Sequence, residues 1–263
     1  MAIKDNVIIC GDCLEVLPKL PRAKMIFADP PDNLGLKYEG FKDEWDDIYD
    51  YLDWLLWVTK TTLKRCDVFW LSYNRIWDYE LKGGLFAWER EGLLPKEVFD
   101  DIRTFIWRFT FGQHNKYDCG NGYRPILRIK HPSAILYPDA IRVPSARQTL
   151  YNDKRANPKG RVPDDVWEFS RVCGTFKEKR RWHPNQHPEA LLERIIKLSC
   201  KPGDLMIDMF AGTGTSNRVC KRLGVHCIGI EISRFYCEKI AEENQIEMVE
   251  AKDVEHLFAG ANK

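Results

Sequence analysis

The chain has 263 residues and a 44% hydrophobic composition, enough for one large domain with a substantial core, so disordered, collagenous and coiled-coil classes are excluded. Forty basic side chains against thirty-nine acidic ones give a net charge of +1, so bulk charge alone does not announce a nucleic-acid binder. No uncharged apolar run approaches the ~18 residues a membrane span requires, and the opening Met1 to Asn6 stretch has no apolar signal core. The expectation is a cytoplasmic protein without membrane association. Nine cysteines are scattered from Cys10 to Cys237, and the close pair Cys10 and Cys13 has no second pair to complete a zinc site. They read as reduced thiols.

In chain order, the apolar run Val7 to Cys10 reads as a strand, Leu14, Leu17 and Leu20 as a helical pattern, and Met25 to Ala28 as a second strand. That strand stops at Asp29-Pro30-Pro31-Asp32-Asn33, where two prolines forbid regular pairing. A helix is expected from Trp45 to about Leu63, a buried strand at Val68 to Leu71, and a helix from about Trp77 to Asp100 interrupted at Gly83-Gly84. Phe105 to Phe109 and Ile126 to Ile129 read as a strand pair. From Pro132 to about Pro184 the texture turns to Pro, Gly, Asn and basic residues, and this segment alone looks inserted. Regular alternation then returns: a helix from Pro188 to Leu198, strand Leu205 to Asp208, a helix to Leu223, strand Cys227 to Glu231, a helix from Arg234 to Glu243 and a strand near Ile246 to Val249. Strands alternating with helices imply a mainly parallel sheet covered on both faces.

Charge is distributed unevenly along this chain. Between Ile141 and His183 eleven Lys and Arg face five acids, a local +6 that leaves −5 for the remainder. A phosphate-facing module has that asymmetry, although a solvated face does too. Asp43 to Asp53, with six acids and no base, reads as turned away from any polyanion.

Two loops carry the chemistry. Phe210-Ala211-Gly212-Thr213-Gly214-Thr215 joins a strand to a helix, and Glu231 ends the next strand, where a carboxylate can accept from ribose hydroxyls. The third glycine of the dinucleotide fingerprint is replaced by Asn217. The Asp29-Pro30-Pro31 turn offers a carboxylate and prolyl carbonyls at the carboxyl end of a strand, acceptors able to hold an exocyclic amino group with its lone pair free. Either loop alone is equally compatible with a tight turn.

Four stretches together resemble the amino-group DNA methyltransferases of the permuted, beta-class order: Gly11 to Glu15, Phe27 to Pro31, His183 to Leu191, and Asp208 to Thr215 with Glu231. The resemblance spans nearly the whole chain. It implies a Rossmann-like S-adenosylmethionine-dependent methyltransferase fold, with a seven-stranded, mainly parallel sheet and a target-recognition insertion. Residues 1–136 would form the catalytic part, 137–182 the insertion and 183–263 the cofactor-binding part. By similarity, Asp208, Phe210, Ala211, Gly212, Thr213, Gly214 and Thr215 would cradle the methionine part of S-adenosylmethionine. Glu231 would hold the ribose, Asp12 and Cys13 would meet the adenine, and His187 would lie near the carboxylate. Asp29 and the Pro30 carbonyl would hold the target amino group, with Pro31 and Asp32 completing the catalytic turn. The family usually has a base-stacking aromatic where this chain has Asp32, so another ring, Tyr38 or Trp70, must take that part, while Asp32 bonds the base or a neighbour, or simply forms a turn.

In the resembling enzymes an Asp at the place of Asp29 goes more often with adenine and a Ser with the cytosine amino group, so the resemblance implies adenine. Arg142, Arg147, Lys154, Arg155, Lys159 and Arg161 are the candidate DNA contacts, while Trp167 and Phe169 read as anchors to the core. The partner implied is double-stranded DNA; a homodimer and a cognate restriction enzyme, as in restriction-modification, are compatible with the resemblance. No metal is expected, since prolines at 184 and 188 break any helix that would align His183 with His187. Methylation of the cytosine amino group, methylation of RNA, and non-catalytic nucleic-acid binding stay open as alternatives.

Overall fold

A computed structural model describes residues 6–94 and 101–257. The opening residues Met1 to Asp5 and the end of the helix expected to reach Asp100 lie outside the described residues. The strands are β1 (Asn6–Cys10), β2 (Ala23–Ala28), β3 (Lys37–Tyr38), β4 (Phe41–Lys42), β5 (Cys66–Ser72), β6 (Ile102–Gln113), β7 (Asn121–Lys130), β8 (Val166–Glu168), β9 (Leu205–Asp208), β10 (His226–Glu231) and β11 (Glu247–Glu250). The helices are α1 (Cys13–Val16), α2 (Ile48–Leu63), α3 (Asp78–Arg90), α4 (Ala146–Thr149), α5 (Glu189–Ser199), α6 (Thr215–Leu223) and α7 (Arg234–Asn244). None of the described helices is long and apolar enough to cross a membrane.

Among the described residues, nine strands form one sheet in the order β11-β1-β10-β9-β2-β5-β7-β6-β8, with β3 and β4 a separate hairpin. The resemblance implied seven; the strands at the two edges, β11 and β8, account for the difference. Only β7 runs antiparallel to its neighbours β5 and β6. The parallel strands are apolar on both faces, as burial between two helical layers requires: Ile8, Ile9, Met25, Ile26, Phe69 and Ile207 are fully inaccessible.

Three local departures have physical causes. Helix α2 begins at Ile48 rather than Trp45 because Asp47, in extended backbone, caps it by accepting from Tyr49 N at 2.8 Å. Helix α3 runs straight through Gly83 and Gly84, and the second glycine has a packing role: a Cβ there would lie 2.6 Å from Leu56 Cδ1, so its absence lets α3 close onto α2. In α6, the missing third glycine is compensated from the strand beneath. Asn217 donates to Asn6 Oδ1 at 2.6 Å, and its Oδ1 would lie 2.9 Å from a Cβ on Gly229 of β10, so the room comes from the sheet.

The sheet order positions the site. Strands β1, β10, β9 and β2 are adjacent and parallel. Their carboxyl ends therefore bring Gly11-Asp12, Glu231, the Asp208 to Thr215 turn and Asp29 to one edge, from chain segments some two hundred residues apart.

Candidate active site

A cleft opens at that edge, and one wall is built around two buried carboxyl groups. Asp208 Oδ1 accepts from Phe210 N at 3.1 Å, and Oδ2 accepts from the Ser216 hydroxyl. Glu231 Oε2 accepts from Gly212 N at 3.0 Å and Oε1 from Ser233 N at 3.0 Å, tying the strand end to the turn beside it. Gly212 and Gly214 are left-handed at φ 53° and 64°, and a Cβ on Gly214 would sit 2.7 Å from Ile240 Cγ2, so both glycines are required by backbone shape. Thr213 and Thr215 join their hydroxyls at 2.8 Å. Asp12 caps α1 by accepting from Leu14 N at 2.7 Å, and Cys13 is buried beside it. Rings of Tyr38, Phe41, Trp45, Trp54 and Phe210 complete the cleft.

Burial pushes the Asp208 carboxyl up to about 6, against the opposing bonds from Ser216 and Phe210 N, and burial pushes Glu231 up to about 7. This wall fits S-adenosylmethionine. A carboxylate fixed by two amides keeps lone pairs for a diol, buried acidic groups favour a cation, and the rings offer an apolar surface for an adenine. A pH dependence follows. Glu231 moves from an ordinary 4.5 to about 7, so between these values the folded protein binds more protons and its stability falls as pH rises, by up to about 3 kcal/mol. Affinity for the cofactor rises over the same window as the carboxylate forms. Melting temperature and calorimetric affinity between pH 5 and 8 check both trends; Glu231→Gln is expected to flatten them.

The opposite wall carries Asp29, which leaves β2. Its Oδ1 accepts from Arg124 Nη2 at 2.8 Å, and its Oδ2 accepts from His187 Nδ1 at 3.1 Å. Ser72 Oγ, at the end of β5, accepts from Arg124 Nε at 2.8 Å and lies 3.0 Å from His187 Nε2. Asp29, Arg124, Ser72 and His187 thus close a four-membered ring of hydrogen bonds. Burial alone would raise the Asp29 carboxyl, but His187 and Arg124 hold it well below the usual carboxylate range.

Most residues singled out from sequence meet here. Asp12, Cys13, Asp29, Pro31, His187, Asp208, Phe210, Ala211, Gly212, Thr213, Thr215 and Glu231 line one cleft, while Pro30 and Gly214 lie behind its surface. His187 lies 3.1 Å from Asp29 and packs against Phe27 and Trp107 at 5.7 and 5.2 Å, which places it in the Asp29 wall of the cleft. Asp32 is not on the cleft wall. It is 4% exposed, pairs with Arg124 at 2.7 Å and accepts from Asn74 N at 3.0 Å, so of the roles open to it from sequence the bond to a neighbour is the one realised. Trp70 is fully buried with Nε1 bonded to Ser199, which removes it as a stacking ring; Tyr38 lines the cleft.

Arg124 and Ser72 had no sequence signal. A lone Arg before an apolar run reads as a solvated strand end, and only the antiparallel register that sets Ser72 opposite Ile126 carries it to the site.

In the basic segment Trp167 is 1% exposed and packs at a tilt on Phe105 at 4.8 Å, and Phe169 packs on the same core, as their anchoring role requires. Arg142 braces the segment, bonding Asp139 and the Gly160 carbonyl, each at 2.7 Å. Arg147 and Arg155 share Asp153, Arg161 pairs with Asp164 at 3.2 Å, and Lys154 and Lys159 are exposed. Among the described residues, no group of three His, Cys, Asp or Glu side chains is placed to hold a metal.

Residues 23–243 match the model of the N6/N4 family described as DNA methylase. The DNA adenine methyltransferase YhdJ of Escherichia coli K12 is 33% identical over 250 residues, covering 88% of this chain and 80% of that protein. The chain belongs to the DNA methylase family. Its members methylate exocyclic amino groups, N6 of adenine or N4 of cytosine. The type II methyltransferase M.HpaI of Haemophilus parainfluenzae is 32% identical over 247 residues, covering 90% of this chain and 74% of its own. Among solved structures, the cytosine-N4-specific PvuII DNA methyltransferase superposes with a TM-score of 0.68 at 17% identity, covering 98% of this chain and 93% of that one. The M1.HpyAVI–SAM complex superposes at 0.57 with 18% identity, covering 90% and 99%. At these identities the shared property is the methyltransferase fold.

Proposed function

We propose that this DNA methylase transfers a methyl group from S-adenosylmethionine to the exocyclic amino group of adenine at a specific site in double-stranded DNA, with the target base flipped out of the duplex. The observation that carries this reading is the meeting of two walls on one cleft: an ionised Asp29 at the end of β2, facing the Asp208 and Glu231 wall at the ends of β9 and β10. Asp29 accepts from the amino group and turns the nitrogen lone pair toward the opposite wall. Glu231 and the turn from Phe210 to Thr215 hold the cofactor. Bound there, S-adenosylmethionine would supply an electrophilic methyl group for direct transfer to that nitrogen, in line with the lone pair that Asp29 orients. The Tyr38 ring, on the cleft wall, supplies the base stack that position 32 does not, an interaction worth about 1 to 3 kcal/mol.

Adenine is favoured by Asp rather than Ser at position 29 and by the relative named for adenine methylation. In the segment 137–182, which we assign to target recognition, the exposed Lys154 and Lys159 and the surface-paired Arg147, Arg155 and Arg161 supply cations for phosphates or guanine edges, while Arg142 shapes the loop. Nucleoside mass spectrometry of DNA incubated with protein and S-adenosylmethionine tests the reading. N6-methyladenine is the expected product. N4-methylcytosine would keep the mechanism and overturn the base assignment, and methylated RNA with unmodified DNA would overturn the substrate.

A further inference from the structure

We propose that Arg124, held in place by Asp32, is a positioning residue for Asp29: one guanidinium spans both carboxylates and aims the reacting one at the cleft, while Asp32 acts through Arg124 and never touches the base. The inference rests on the methyl-transfer reading above and deepens it.

The geometry is that of a fixed fork. Arg124 Nη1 donates to Asp32 Oδ2 at 2.7 Å, Nη2 donates to Asp32 Oδ1 at 3.1 Å and to Asp29 Oδ1 at 2.8 Å, and Nε donates to Ser72 Oγ at 2.8 Å. Four bonds leave the guanidinium no freedom to turn, and its planarity transmits the orientation of Asp32 to Asp29. Asp32 is itself immobilised by Asn74 N at 3.0 Å, and its own carbonyl accepts from Trp77 Nε1 at 2.7 Å. Strand β7 thereby fixes a loop that two prolines alone leave without sheet bonds.

Charge balance explains why both partners are needed. With Arg124 and Asp29 alone, the guanidinium would cancel the carboxylate that must receive an amino group and face a methyl donor bearing positive charge. With Asp32 added, two carboxylates and one guanidinium leave one net negative charge at the reacting end. Removing Arg124 instead strands two buried carboxylates side by side, a situation in which one of them takes up a proton. The other titratable groups facing Asp29 are His187 ahead of α5, Asp208 at the end of β9, Tyr38 on β3, Tyr51 on α2 and His183. Of these only His187 donates to it directly.

The test compares wild type, Arg124→Met, Arg124→Lys and the charge-neutral pair Asp32→Asn with Arg124→Gln. For each, kcat at saturating cofactor and DNA is measured from pH 5 to 9, together with cofactor affinity and melting temperature across the same range. Arg124→Met is expected to lower kcat by about 10²-fold while leaving cofactor affinity in place. Its acidic limb should move up by about 1 to 3 pH units into the measured range, because Asp29 then protonates. Its melting temperature, relative to wild type, should fall as pH rises, since carboxyls raised by mutual repulsion destabilise the fold when they ionise. Arg124→Lys should recover the wild-type pH profile with part of the rate. If Arg124→Met does not fold, the neutral pair, which leaves Asp29 as a single carboxylate with His187 still beside it rather than two carboxylates side by side, carries the same kcat readout. A folded Arg124→Met or neutral pair with a wild-type pH profile and rate would overturn the proposal, and so would a rate loss equal at every pH. Wild-type protein that methylates no nucleic acid would overturn the methyl-transfer reading itself.

Discussion

Asp29→Ala is expected to cut kcat for methyl transfer by at least about 10³-fold, with cofactor affinity retained. Asp29 is the ionised acceptor of its wall, and two of its neighbours are already engaged: the Pro31 carbonyl accepts from Tyr51 at 3.1 Å, and Asp32 is turned back onto Arg124. The fold should survive because Arg124 keeps its two bonds to Asp32. Asp29→Asn is the sharper variant. It preserves shape but replaces one accepting oxygen with an N–H₂ that opposes the amino group, so its rate should match that of Asp29→Ala. Single-turnover transfer from labelled S-adenosylmethionine, with calorimetric cofactor binding alongside, reads both quantities; a variant within tenfold of wild type would remove Asp29 from the chemistry.

Trp167→Ala should cost about 3 to 5 kcal/mol of stability, the range for emptying an aromatic site in a packed core. Its ring is inaccessible, packs at a tilt on Phe105 at 4.8 Å and Trp70 at 6.0 Å, lies under the Arg194 guanidinium at 5.5 Å, and donates from Nε1 to Asp164 O at 2.7 Å. These contacts hold β8 against β6, and β8 is the only strand of the basic segment in the sheet. Urea unfolding measures the loss. Protease sensitivity confined to the segment around Trp167 would show that the segment detaches before the core melts. An unchanged midpoint would mean that the ring bears no load.

The sequence and the structure agree where one residue pattern decides the outcome. Runs such as Val7 to Cys10 and Leu205 to Asp208 are apolar on both faces and bounded by turn residues, so strand and burial were legible together. The nucleoside-side wall was legible for the same reason, since the turn and the carboxylate that ends the next strand are local features. What was not legible depends on pairing across the chain. Strand β8 is three residues with only Trp167 inward, too short for periodicity to register. The β3–β4 hairpin is two residues against two. Arg124 enters the site through the register of β7 on β5, which no spacing along the chain encodes. Gly83-Gly84 misled because a helix interruption and a close helix contact demand the same residue, and Leu56, the partner that decides between them, lies on another helix.

The place of β1 in the sheet has a consequence for biosynthesis. This strand, Asn6–Cys10, is paired on one side by β10 and on the other by β11, which ends at Glu250. At an elongation rate of about 5 to 20 residues per second, the first strand waits on the order of ten to fifty seconds for both neighbours. The Asp29 loop is synthesised well before Asp208, Glu231 and their turn. A nascent chain that stops short of Glu231 therefore has no complete cleft, because one wall of it has not yet been made.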